Sequence, residues 1–294
     1  MVYKKTAGDI CLNIFIFLFV GFLVVLILYP LIYVFSMSIS DPREVLTGNV
    51  TFLPKGFSLE AFKTVLNNPD IYKYYGNTLW YTVVGTALSV VATVLLGYPL
   101  SRKQFSGRKP LMLMVVFTMF FNAGMIPLYL VVVNLNLYNT RWALILPTLT
   151  AAWYVIVARS YFEGMPEEIF ESARIDGAGE FTILMKIVMP LAKPILAVLT
   201  VYFATYQWNS YFPALLYLSN SDLHPIQIFL RRAVIQASPE AMAGFDVEAM
   251  TESVLAMMQV KYAVVIIVIL PVLLIYPLLQ KYFVKGLMVG AVKG

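Results

Sequence analysis

The sequence predicts an all-α, polytopic membrane protein with six transmembrane helices. Hydrophobic residues make up 60% of the chain, mean hydropathy is +0.79 and only 13% of residues are charged. That balance excludes an ordinary soluble domain. A helix needs about 20 apolar residues to cross a bilayer. Six runs approach or exceed that length: residues 14–35, 78–100, 111–133, 142–158, 195–218 and 263–283. No ten-residue stretches of alternating polarity suggest a β-barrel.

The first run follows Lys4 and Lys5 and extends for about 22 residues. It is longer than the apolar core of a signal peptide, and no Ala-x-Ala site follows, so it reads as an uncleaved span. Residues 37–76 form an external loop with Pro, Gly and Asn turns. A short helix is expected at 58–66, capped by Ser58 with Ala61 at N3. The second run leads into the densest basic cluster, residues 101–110. The fourth run is short and the fifth carries polar residues, so the pattern sets their ends least sharply. Residues 219–261 form a second external loop, with Arg231, Arg232, Pro239, Gly244 and a helical piece at 247–258. The sixth run closes the bundle, and 1–294 reads as a single transmembrane domain.

Orientation follows from the basic residues. With the N-terminus inside, the inner segments hold Lys4, Lys5, Arg102, Lys103, Arg108, Lys109, Arg159, Arg174, Lys186, Lys193, Lys281, Lys285 and Lys293. Both termini and residues 165–194 then face the cytoplasm. The net charge of +5 is this bias rather than a nucleic-acid footprint, since the cations are scattered and no binding motif accompanies them. Cys11 is the only cysteine, which excludes an internal disulfide or a cysteine metal site. His224 is the only histidine and reads as a surface residue of the outer loop.

The segment 165–194 is too long and too structured for a simple connector. Pro166 suits a helix start, and Glu167 and Glu168 favour the positive end of the helix dipole. Ile169, Phe170 and Ala173 share a face. Asp176 and Gly177 break the helix, with Gly177 left-handed at the C-cap. A second helix restarts at Glu180, with Phe181, Leu184, Met185 and Val188 as an apolar stripe, and ends at Pro190. A helix pair lying on lipid headgroups would want a basic polar face. The first helix carries Glu167, Glu168, Glu171 and Asp176 instead, so a protein partner is the better reading.

Glu171-Ser-Ala-Arg-Ile-Asp-Gly-Ala178 followed by Ile187-x-x-Pro190 resembles the EAA loop of ATP-binding-cassette importer permeases. The family pattern is Glu-Ala-Ala, a Gly six residues after the Glu, then Ile-x-Leu-Pro. Ser172 replaces the first Ala and Met189 the Leu. The Ala173-Arg174-Ile175-Asp176-Gly177 form is similar to the carbohydrate branch, that of maltose-type permeases. Tyr206-Gln-Trp-Asn-Ser-Tyr-Phe-Pro213, His224-Pro-Ile-Gln-Ile-Phe-Leu-Arg231 and residues 283–294 resemble the sub-branch for larger oligosaccharides, including alginate-type chains. The resemblance implies the type I importer fold. It also implies a second permease subunit, expected as a heterodimer, two ATPase subunits that hold ATP and Mg, and an extracytoplasmic solute-binding protein. In the bacterial inner membrane, residues 165–194 would be the coupling loop. Glu171 and Asp176 would contact the ATPase, Gly177 would supply the bend, and Ala173, Arg174, Ile187 and Pro190 would complete the motif. Residues 286–294 would approach the ATPases.

Function from the residues themselves points the same way. No Gly-x-x-x-x-Gly-Lys-Ser/Thr loop is present, so ATP chemistry belongs to other subunits, and this chain needs no cofactor. The spans lack the acids, His or Lys of a proton relay, which argues against a self-contained secondary transporter of sugars. No Gly-x-Ser-x-Gly or His-Glu-x-x-His supports an enzyme. Sugar recognition pairs aromatic faces with amides and hydroxyls. Tyr206, Gln207, Trp208 and Asn209 supply both kinds, with Asn122, Tyr129, Trp153 and Tyr154 as further pathway candidates. Trp and Tyr also mark membrane interfaces, and Asn122 has a purely structural alternative, bridging helices. Lys73, Arg141, Arg231 and Arg232 are candidates to steer an acidic sugar.

Overall fold

The computed structural model describes residues 6–236 and 259–275, and among them no β-strand occurs. The chain gathers into two compact units, Met1–Pro69 with Leu230–Leu270, and Asp70–Phe229 with Pro271–Gly294.

In the first unit, α1 (Ala7–Ile39) is a 33-residue helix, roughly 50 Å long at 1.5 Å per residue. It outruns the apolar run 14–35 because its polar end satisfies itself: Ser38 Oγ donates to Phe35 O (2.7 Å) and Ser40 Oγ to Ser36 O (2.6 Å). Asp41 caps α2 (Pro42–Leu46) by accepting the Arg43 N–H at 2.8 Å. The helix expected at 58–66 is α3 (Glu60–Leu66). Ser58 Oγ accepts the Glu60 N–H at 3.3 Å, but Leu59 takes the cap position, so Ala61 sits at N2 rather than N3. Met37, Val45 and Val50 form a small core beside Tyr33 and Tyr262. Gln259, in the helix Gln259–Ile275, donates to Ser40 O at 3.0 Å and to Met37 O.

The second unit begins with α4 (Pro69–Ser101), followed by α5 (Arg108–Phe120), α6 (Met125–Asn134), α7 (Trp142–Ile145) and α8 (Ala152–Glu163). Then come α9 (Glu167–Ile175), α10 (Glu180–Ile183), a π-turn at Leu184–Val188, α11 (Met189–Leu191), α12 (Lys193–Trp208), α13 (Tyr211–Tyr217) and α14 (Ile226–Gln236), the last belonging to the first unit from Leu230 on. Part of the predicted outer loop 219–261 is therefore helical. The piece expected at 247–258 and the tail 283–294 lie outside the described residues.

Gly8–Ile39 and Pro69–Ser101 are long and apolar enough to cross a membrane. Two further pairs are bent: Trp142–Thr148 with Ala152–Glu163 by 55°, and Glu180–Leu191 with Lys193–Trp208 by 81°. Counting each pair as one span makes up to four among the described residues. Of the other predicted spans, run 195–218 divides into α12 and α13, while the described part of run 263–283 lies in one apolar helix, Gln259–Ile275. Run 111–133 is interrupted between α5 and α6, where Asn122 Oδ1 accepts the Gly124 N–H (2.8 Å) and Gly124 has φ +87°. Asn122 builds this turn rather than bridging helices. Pro190 does not end the second loop helix, as the sequence suggested. It continues into α11, preceded by the π-turn that accommodates its missing N–H. The break falls at Ala192, before Pro194.

Among the described residues two cores hold this unit. Tyr81, Leu144, Ile145, Ala214, Tyr217 and Ile228 form one. Val94, Tyr98, Ala158, Phe162, Phe170, Ala173, Leu184, Val188, Leu199 and Phe203 form the other, so both halves of the 165–194 segment pack on α4, α8 and α12. His224 is not a surface residue. It is 8% exposed, its ring tilts against Tyr74 at 6.0 Å, and its backbone carbonyl accepts from Asn77 Nδ2 (3.1 Å). Asn77, just before the apolar run of α4, is the polar anchor that holds the His224 segment, its amide donating to the carbonyls of Asp222 and His224.

Candidate functional site

The 165–194 segment has the hinge its sequence predicts. Gly177 has φ +79°. Its N–H donates to Arg174 O (3.0 Å), and the Ala178 N–H donates back to Ala173 O (2.9 Å). This is a Schellman cap, in which the left-handed residue lets two orphan carbonyls be satisfied. Phe170 and Ala173 face the core while Ile169 is half-buried. The apolar stripe of the second half divides: Leu184 and Val188 are buried, Phe181 and Met185 are exposed. Around the hinge, Ile175 is 86% and Phe181 70% exposed. Glu168, Glu171 and Asp176 are exposed beside them. The segment thus presents an acidic knob with two uncovered apolar side chains.

The inner anchor of this knob was not foreseen. Arg102 was one of several inner-face cations in the sequence, yet it is only 6% exposed. Its Nη2 donates to Phe162 O (2.6 Å), and its Nε to Ser101 Oγ (3.0 Å). Its guanidinium lies 3.8 Å from the centre of the Phe170 ring. Burial pulls its pKa below the ordinary arginine value, and Glu167 is the main group opposing that shift; a guanidinium stays protonated regardless. Glu167 Oε2 is 3.6 Å from Arg102 Nη1, and Glu167 Oε1 is 3.5 Å from Arg174 Nη1. Arg174 reaches Glu180 at 3.3 Å, and Tyr98 Oη donates to Glu180 Oε2 at 2.8 Å. The one signal available beforehand was position: Arg102 follows the apolar run directly, where burial is still within reach.

The predicted pathway residues do not converge on one cavity. Gln207 is 0% exposed and neither amide atom has a hydrogen-bond partner among the described residues; Trp208 is buried, edge-on to Tyr75 at 5.8 Å. Gln207 fits only because position 85 is glycine: a Cβ there would stand 2.8 Å from its Cδ. Asn209 is exposed at the end of α12, its amide donating to Thr205 O (2.9 Å). Tyr206 and Trp153 are exposed. Tyr154 packs on Phe203 at 4.7 Å, and Tyr129 stacks on Tyr217 at 6.2 Å. Asn122 lines a separate cleft of about 750 Å³ with Pro127, Val131, Thr150 and Val155. Two of the proposed steering cations are engaged locally: Lys73 pairs with Asp222, while Arg141 donates to Asn77 Oδ1 (3.0 Å) and lies over Trp80.

Comparison with known proteins fits this arrangement. Residues 2–289 match the family described as binding-protein-dependent transport system inner membrane component. The polygalacturonan/rhamnogalacturonan transport system permease protein YtcP of Bacillus subtilis is 40% identical over 285 residues, covering 96% of this chain and 99% of that one. The arabinooligosaccharides transport system permease protein AraQ of Halalkalibacterium halodurans is 29% identical, covering 95% and 94%. A crystal structure of a bacterial transporter involved in import of the acidic polysaccharide alginate superimposes with TM-score 0.87 at 34% identity, covering 96% of this chain and 100% of its own. With hinge, helices and relatives in agreement, the chain belongs to the binding-protein-dependent inner membrane component family, as a sugar ATP-binding-cassette permease subunit rather than an enzyme.

Proposed function

We propose that the chain crosses the membrane six times, with both termini in the cytoplasm, and translocates an oligosaccharide by alternating access. The carrying observation is the exposed knob at Gly177. Ile175 and Phe181 are uncovered apolar side chains among acids, on a segment whose opposite face is buried in the permease core. Such a helix suits a groove on a partner. The partners are two ATPase subunits that bind ATP and Mg, a second permease of different sequence, and an external solute-binding protein. Glu171, Asp176 and Gly177 form the docking element, backed by Ala173 and Arg174 and, in the second half, by Ile187 and Pro190.

The energy source is tested in liposomes holding the full complex. Uptake stops when the phosphate-loop lysine of the ATPase is replaced, and it persists when the proton gradient is collapsed at constant ATP. Loss of uptake on collapsing the gradient alone would instead identify a secondary transporter.

The substrate contacts centre on the end of α12, where Asn209 is exposed beside Trp208 and Gln207, whose amide has no partner among the described residues. Asn209→Ala is expected to lower uptake of the oligosaccharide about tenfold, the order of one lost hydrogen bond to a polar ligand, with assembly unchanged. Uptake at the native rate by this variant removes Asn209 from the pathway. The relative that handles alginate makes an acidic oligosaccharide the first probe to use.

A further inference from the structure

We propose that Arg102 is a positioning residue for energy coupling, a latch that makes the end of α4 and the docking helix α9 move as one body. This deepens the reading of residues 165–194 as the ATPase-docking loop and rests on it. A buried charge persists only where it is paired and hydrogen-bonded. Arg102 meets that condition by joining three elements. Ser101 ends α4, Phe162 lies in the last turn of α8, and Phe170 and Glu167 belong to α9. One planar fork touches all of them. A lysine could keep the charge but not the flat stacking on Phe170 together with two divergent hydrogen bonds.

The latch also has room to change state. Arg102 Nη1 is buried and makes no hydrogen bond among the described residues. Its 3.6 Å separation from Glu167 Oε2 exceeds a hydrogen bond and would close with a shift of about 0.5 Å. Glu167 is shared: its other oxygen faces Arg174 and accepts weakly from Gln104 Nε2 (3.4 Å). Arg174 shares α9 with Glu167, so a small movement of α9 against α4 changes only the Arg102 contact and leaves the Arg174 contact in place. The second half of the loop is tied to the same helix separately, through Tyr98 and Glu180. Force on the knob thus reaches α4 at two points, and Arg102 is the one that carries α9.

The test uses the complete complex in liposomes, measuring ATP hydrolysed and sugar imported in the same vesicles. Arg102→Lys should co-purify with the ATPases in native amount, while ATP hydrolysed per sugar imported rises about threefold or more, within the range of mutations along coupling networks. Glu167→Gln, which keeps the side chain's shape on a half-exposed position and leaves the Phe162 and Ser101 bonds of Arg102 intact, should raise the ratio less. Combined with Arg102→Lys it should add nothing, because both act on one contact. An unchanged ratio, with both rates falling only as permease is lost, would overturn the latch. So would additive effects of the two variants, or failure of Arg102→Lys to bind the ATPases, which would make Arg102 part of the docking surface itself. Gly177→Val is the control for the underlying reading. If it docks and transports normally, the loop assignment fails. If it fails as expected while Arg102→Lys keeps the native ratio, only the latch is wrong.

Discussion

Gly177→Val is expected to leave the permease in the membrane but to weaken ATPase docking and abolish uptake. The cost is conformational. Gly177 has φ +79°, and no atom lies within 4 Å of where a Cβ would stand. The penalty therefore comes from the backbone, about 1–2 kcal/mol or more for a β-branched residue held left-handed. The chain can escape by leaving the left-handed region, which breaks the paired hydrogen bonds of Gly177 and Ala178 to the α9 carbonyls. Ile175 and Phe181 then no longer flank one knob. A graded series follows from the same argument. Asparagine, which tolerates the left-handed region, keeps most uptake; alanine loses part; valine loses all. Uptake and ATPase co-purification should fall together along this series. Full transport by the valine variant would sink the assignment, and equal loss for asparagine and valine would show that side-chain contacts, not backbone strain, decide the site.

Gly97→Leu is expected to destabilise the permease by about 3 kcal/mol, at the upper end of the cost of overpacking. A Cβ at Gly97 would lie 3.1 Å from the Ala158 Cβ and 3.3 Å from the Arg159 backbone nitrogen. The neighbour is a helix backbone, which cannot move aside as a flexible side chain can. Small residues at such a crossing let membrane helices approach closely. Larger side chains would push α8 from α4 just where Tyr98, Phe162 and Arg102 meet. Thermal unfolding of the detergent-purified permease reads the loss. Gly97→Ala should lose less, and Ala158→Gly should restore part of that loss by removing the nearest atom. No rescue in the double variant would mean that α8 adjusts freely and that the close approach does not limit stability.

The helical membrane class, the positions of the apolar segments, the hinge at Gly177 and the family are legible in the amino-acid sequence. These rest on neighbouring residues: hydropathy over a run of residues, a glycine after a helix, a proline before one. Such signals survive whatever the rest of the chain does. Other features needed the tertiary structure. His224 looked like a loop residue until Asn77, 147 positions earlier, proved to hold its carbonyl. Run 111–133 looked continuous, because the Asn122–Gly124 turn costs little hydropathy. Gln207 is buried against Gly85, where a Cβ would crowd its side chain. Arg102 looked like any cation of the inner face, and its bond to Phe162 spans 60 positions. Hydropathy and backbone preference are local properties, whereas the burial of His224 and Arg102 depends on which distant atoms arrive to satisfy their polar groups.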